Sequence, residues 1–176
     1  MNVKTQLPEG FTASYEDGTL KVEANGEEVE KEMQHALIDV EVSGDKVEFS
    51  TGEKRRDIQS IAKTYQSHLE NMIKGLEDEH VYKMKGVYAH FPMTIKKEQN
   101  EVVIENFMGE RKPRRIEIEE GVEVEIDGED LELRGSDKDA VGTTAGRIEQ
   151  ACSKGNRDPR TFQDGVYITS KGEKNE

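Results

Sequence analysis

Apolar and charged residues alternate along much of this chain, and one alternating run occurs twice. Placing IDVEVSGDKVEFS (38–50) over VEVEIDGEDLELR (122–134) brings Val40 onto Val124, Val42 onto Ile126, Val47 onto Leu131 and Phe49 onto Leu133, with Gly44 on Gly128. A period of two around a central glycine predicts a β-hairpin with one wet and one dry face. A helical pattern follows each hairpin. The first, over about 53–75, sets Ile58, Ile61, Ala62, Tyr65, Leu69, Met72 and Ile73 at spacings of three and four and ends near Gly75. The second opens with SDKD, where Ser136 is placed to cap and Asp139 to answer it, and carries Val141, Ala145, Ile148 and Cys152 before Gly155. Each stripe is one-sided, so each helix is expected to lie on a sheet.

A further pair of strands precedes each hairpin, TLKVEANGEEVEKEM in one copy and EVVIENFMGERKPRRIEI in the other, with Leu20 over Val102 and Val22 over Ile104. The stretch VYKMKGVYAHF (81–91) is read as crossing between the copies, and GVYIT as a closing strand. The expected fold is therefore α+β: two tandem duplicated domains, residues 1–80 and 81–176, each a small antiparallel or mixed sheet packed on one face by a helix.

Composition narrows the function. With 32% hydrophobic residues and no tryptophan in 176 residues, two modest cores are more natural than one large one. No apolar run approaches the roughly 20 residues that span a bilayer, and MNVKTQLPEG lacks the succession of a signal peptide, so a soluble, cytoplasmic chain is expected. The lone Cys152 reads as a small core residue. Net charge is −13, but the imbalance is uneven: 9 basic against 18 acidic residues in 1–80, and 7 against 6 from 138 onward. A polyanion would be repelled by most of such a surface, so contact with one would be confined to local basic patches. DNA and membranes are not expected partners.

Catalytic signals are thin. Neither common phosphate-cradling glycine motif occurs. His35, His68, His80 and His90 lack the spacing that fixes a zinc ion, and no cysteine pair helps them, so neither metal nor other cofactor is expected. The carboxylates sit mostly at alternate strand positions, where they keep a sheet face wet.

The basic loops carry more. RKPRR (111–115) is either a solvated hairpin tip or a phosphate contact through Arg111, Lys112, Arg114 and Arg115. In GNRDPRTFQDG, Pro159 forbids a packed helix, and the segment, with Lys154 just before it, gathers Asn156, Arg157, Arg160, Phe162 and Gln163: cations, amides and an aromatic ring together. That mixture suits RNA, with its phosphates, hydroxyls and unstacked bases. The competing reading buries Phe162 on the sheet and pairs Arg157 with Asp158. A protein-interaction adaptor working through sheet edges, and a small hydrolase, remain as functional alternatives.

Four motifs bear on that choice: VYAHFPM (87–93), ENFMGE (105–110), AVGTTAGRIEQA (140–151) and NRDPRTFQDGVYITSKG (156–172). In sequence and order they closely resemble the archaeal and eukaryotic branch of the large-subunit ribosomal protein six family, nearly end to end. The resemblance implies a non-enzymatic protein of two duplicated α+β domains. It would bind large-subunit rRNA near the sarcin-ricin loop and stalk base, beside neighbouring ribosomal proteins and close to where elongation factors land. It also implies that the C-terminal domain makes most of the RNA contact. Thr143, Thr144, Arg147, Lys154, Asn156, Arg157, Arg160, Phe162, Gln163, Asp164, Gly165 and Tyr167 occupy the matching motif, with Arg111, Lys112, Arg114, Arg115 and Lys171 as outlying candidates. Bacterial members are more basic in this loop, where the present chain has Asp158 and Asp164.

Overall fold

A computed structural model describes residues 1–153, 155, 158 and 160–172. The chain divides into two compact units, Met1–Glu79 and His80–Glu176. In the first, β1 (Asn2–Gln6), β5 (Asp39–Ser43) and β6 (Lys46–Ser50) form an antiparallel sheet in the order β1-β6-β5. A second antiparallel sheet holds β2 (Thr12–Glu16), β3 (Thr19–Ala24) and β4 (Glu27–Glu32), and α1 (Arg56–Glu77) packs against β1, β3, β4 and β6. Leu20, Val22, Val47 and Phe49 from the sheets meet Ala62 and Leu69 from the helix, all fully buried.

The second unit repeats this plan. β8 (Thr94–Glu98), β9 (Glu101–Glu105) and β10 (Arg114–Glu117) answer β2, β3 and β4. The other sheet has the order β11-β12-β7-β13, from β7 (His80–Val87), β11 (Glu123–Asp127), β12 (Asp130–Gly135) and β13 (Gly165–Lys171). Upon it lies α2 (Lys138–Ala151), with Val141, Ala145 and Ile148 fully buried against Leu133 and Val166. The duplicated hairpins match in register as well as sequence. Val40 pairs with Phe49 and Val42 with Val47, as Val124 pairs with Leu133 and Ile126 with Leu131. Gly44 and Gly128 both turn at φ +61, a left-handed conformation that a side chain would strain.

The α+β class is as expected, with differences in detail. Each unit splits its strands between two antiparallel sheets rather than using one. Residues 81–91 do not cross between copies: β7 is an inner strand of the second unit, hydrogen-bonded to β12 on one side and β13 on the other. Its counterpart by position is β1. The first helix starts later than expected and runs past Gly75, which is buried inside its last turn. The second helix is capped by Asp137, whose Oδ1 accepts from the Asp139 amide at 2.9 Å, so the helix begins one residue too late for Ser136 to cap it. Cys152 is buried in the core, as expected. No helix among the described residues is long and apolar enough to cross a membrane.

Candidate nucleic-acid interface

α2 divides its side chains by periodicity. Thr143 and Arg147, four residues apart, are exposed on the outer face. Thr144 points the other way: it is fully buried, its hydroxyl donating to the Ala140 carbonyl at 3.0 Å and accepting from the Glu119 amide at 3.2 Å. A side chain so enclosed ties the helix to the segment after β10 and presents nothing to a partner. Arg147 reaches the Glu119 carboxylate, 2.5 Å from Nη1 to Oε1, yet keeps 48% of its side chain exposed. Salt bridges this wet are easily exchanged for a phosphate.

Past the helix, Asp158 shapes the loop. Its Oδ1 accepts from the Arg160 amide at 2.9 Å, and its carbonyl accepts from the amides of Thr161 and Phe162 at 3.1 and 2.9 Å. The acid is thus a turn-former bonded to its own backbone. Arg160, Thr161, Phe162 and Gln163 are exposed beyond it; Phe162 is 39% exposed, against the alternative that it buries on the sheet. Asp164 is only 6% exposed, so its carboxylate is withheld from the surface. The two acids that set this loop apart from a basic one therefore face inward or locally.

Tyr167 secures the far end. Its hydroxyl donates to the Gln163 carbonyl at 2.9 Å, folding the ring back over Gly165. A Cβ on Gly165 would lie 3.0 Å from that ring, so the glycine makes room for tyrosine. Tyr167 remains 37% exposed and stands opposite Lys85 in the β13–β7 register. Lys83 and Lys85, both exposed, extend this surface onto β7. They were not among the expected residues, although the alternation in YKMKG carries them outward while Tyr82 and Met84 turn in.

The outlying cations divide. Arg114 is engaged on several sides, bonded to Glu110, to the carboxyl end of α2 and to the ring of Phe107, so it has little left to offer a phosphate. Arg115 forks to Glu98 at 2.9 Å and Glu101 at 2.8 Å on the outer face of the β8–β9–β10 sheet, where Lys96 also bridges Glu98 and Glu105. Lys96 and Arg115 flank Val103 in register, and their aliphatic stems account for its complete burial on that side. Arg111 and Lys112 are exposed. Lys171 is exposed too, but at the opposite end of β13, about 20 Å from Gly165 along the strand. Lys154, Asn156 and Arg157 lie outside the described residues. No cluster that could hold a metal ion occurs among the described residues.

Known proteins are similar to this chain in sequence. The family model described as Ribosomal protein L6 matches residues 91–165, which include α2 and the shaped loop. The Large ribosomal subunit protein uL6 of Haloarcula marismortui is 43% identical over 169 residues, covering 96% of this chain and 95% of its own. Its namesake from Methanocella arvoryzae is 40% identical over 167 residues, covering 94% of each chain. That from Methanococcus vannielii is 39% identical over 166 residues, covering 89% of this chain and 91% of its own.

Proposed function

The chain belongs to the uL6 family of large ribosomal subunit proteins, and from that premise we propose that its second unit docks on large-subunit rRNA through the outer face of α2, the loop running to Gly165 and the start of β13. As a member of that family it is a structural constituent of the cytoplasmic ribosome and not an enzyme. Association with rRNA and with other ribosomal proteins follows from that place. The finer reading is that the docking site lies near the sarcin-ricin loop and the stalk base, within reach of elongation factors. It is supported by the motifs that resemble the family in this region.

One observation carries the proposal. Arg147 is exposed on the outer face of α2, and Arg160, the ring of Phe162 and the amide of Gln163 are exposed on the loop that follows the helix, while the nearby acids Asp158 and Asp164 are turned to local or buried duties. Arginine there can fork onto phosphate oxygens and the ring can stack on an unpaired base. The Asp158 turn bonds the backbone of Arg160, Thr161 and Phe162, which lowers the cost of ordering them on binding. The acidic remainder of the chain is kept away from the polyanion by the same charge that would repel it.

The test is Arg160→Ala with in vitro transcribed large-subunit rRNA. Loss of one phosphate contact lowers the slope of log K against log salt by about 0.7–0.9. Affinity and slope both unchanged would refute the assignment of RNA contact to this loop.

A further inference from the structure

α2 has no basic residue in its own last turn, although the free carbonyls and negative dipole end of a helix favour a cation there. The cation is brought from another element. Arg114 Nη1 donates to the carbonyl of Ala151 and, at 3.2 Å, to that of Ser153. The other edge of the same guanidinium forks onto Glu110, with Nε 2.9 Å from Oε2 and Nη2 2.6 Å from Oε1. Its flat face lies 4.2 Å from the ring centre of Phe107, which is buried in the core. The chain makes an unusual bend to arrange this, with Asn106, Met108 and Gly109 all in left-handed conformations. The bend aims Phe107 and Glu110 at the same cation. The fork to Glu110 also holds the Arg114 guanidinium above its ordinary pKa.

We propose that Arg114 is a positioning residue: held by Glu110 and Phe107, it clamps the carboxyl end of α2 at Ala151 and Ser153, and so holds the point from which the chain runs on toward Arg160 and Phe162, without touching RNA itself. The proposal deepens the RNA-binding reading and rests on it. It gives ENFMGE and the second half of RKPRR one joint purpose. Lysine cannot replace arginine here, because an ammonium lacks the planar fork that serves a carboxylate and two carbonyls together.

Glu110→Gln separates the clamp from a direct contact by sign. Were Arg114 an RNA contact, removing the carboxylate that competes for it would tighten binding; as a clamp, Arg114 loses its anchor and binding weakens. Full-length wild type, Glu110→Gln, Arg114→Lys and Arg114→Ala would be titrated with in vitro transcribed large-subunit rRNA at fixed salt. In the free proteins, hydrogen exchange would be followed at the Thr161 and Phe162 amides, which bond the Asp158 carbonyl. We expect Glu110→Gln and Arg114→Lys to bind about three- to tenfold more weakly. The two loop amides should exchange faster, and those of the β11–β12 hairpin should be unchanged. Tighter binding by Glu110→Gln would overturn the clamp, as would unchanged exchange at Thr161 and Phe162 in both Glu110→Gln and Arg114→Lys, variants milder than Arg114→Ala. Faster exchange with unaltered RNA affinity would uphold the clamp and refute instead the assignment of RNA contact to the loop.

Discussion

Gly165→Ala probes how the loop before β13 is held. The glycine does not have a left-handed φ, so its backbone accepts alanine. Alanine in such a position stabilises by about 0.4–1 kcal/mol, because it restricts the unfolded chain. Opposing this, the new Cβ would meet Cζ and Oη of Tyr167 at 3.0 Å and Cε2 at 3.1 Å. The ring must give by a few tenths of an ångström, and it can, since it is 37% exposed. Doing so disturbs the bond from its hydroxyl to the Gln163 carbonyl, which is worth about 0.5–1.5 kcal/mol. The two effects nearly cancel: Gly165→Ala alone should lie between about 0.5 kcal/mol stabilising and about 1 kcal/mol destabilising. In a Tyr167→Ala background there is no ring to displace, and the same change should stabilise by about 0.4–1 kcal/mol. The coupling between the two sites is therefore about 0.5–1.5 kcal/mol. Urea denaturation of the full-length chain, followed through backbone amide signals of the second unit, measures all four corners of the cycle. Equal effects of Gly165→Ala in both backgrounds would refute the argument that the glycine exists to seat the tyrosine.

Other substitutions test neighbouring parts of the account. Thr144→Val removes the hydroxyl shared by Ala140 and Glu119; it should destabilise by about 1–3 kcal/mol in denaturation while RNA affinity, measured where the variant is folded, stays at the wild-type level. Gly135→Ala would place a Cβ 2.8 Å from the Gly121 carbonyl and 3.0 Å from Val141, so it should cost about 1–3 kcal/mol. Gly146→Ala on α2 meets nothing within 4 Å and should raise stability by about 0.4–1 kcal/mol, read as a higher melting temperature. The Glu98 carboxyl is held below its ordinary range, first by Lys96 and then by Arg115. Its contribution is therefore present above the usual carboxylate pKa and lost as pH falls through the lowered value. Stability profiles against pH should show wild type losing more than Glu98→Gln on acidification, and parallel profiles would contradict this.

What could be read from sequence follows from which physical signals are local. The two hairpins were legible because Val40, Val42, Val47 and Phe49, like their second-copy partners, bury one whole face and so enforce a period of two. β1 and β2 escaped notice because NVKTQ and TASYE hold few apolar positions to show a period. β7 has a clear alternation, but alternation reveals a strand and not its neighbours, so its place between β12 and β13 was invisible. The burial of Thr144 was legible: it lies three residues past Val141 and four before Ile148, on the buried stripe. Arg114 and Arg115 were not avoidable in that way. Sequence shows a cluster of cations, whereas their engagement depends on Glu110, Glu98, Glu101 and the end of α2, brought together only by the fold. The same holds for Asp158 and Asp164, whose charge counts against RNA until their orientation is known.

The central claim is that the outer face of α2, with the loop that follows it, meets rRNA. A density map of the assembled large subunit containing this chain tests it most directly. The account predicts nucleotides in contact with Arg147, Arg160 and Phe162, with Arg114 still turned toward Glu110 and the end of α2. Solvent over those three side chains, with rRNA lying instead along the acidic β11–β12 edge, would contradict it.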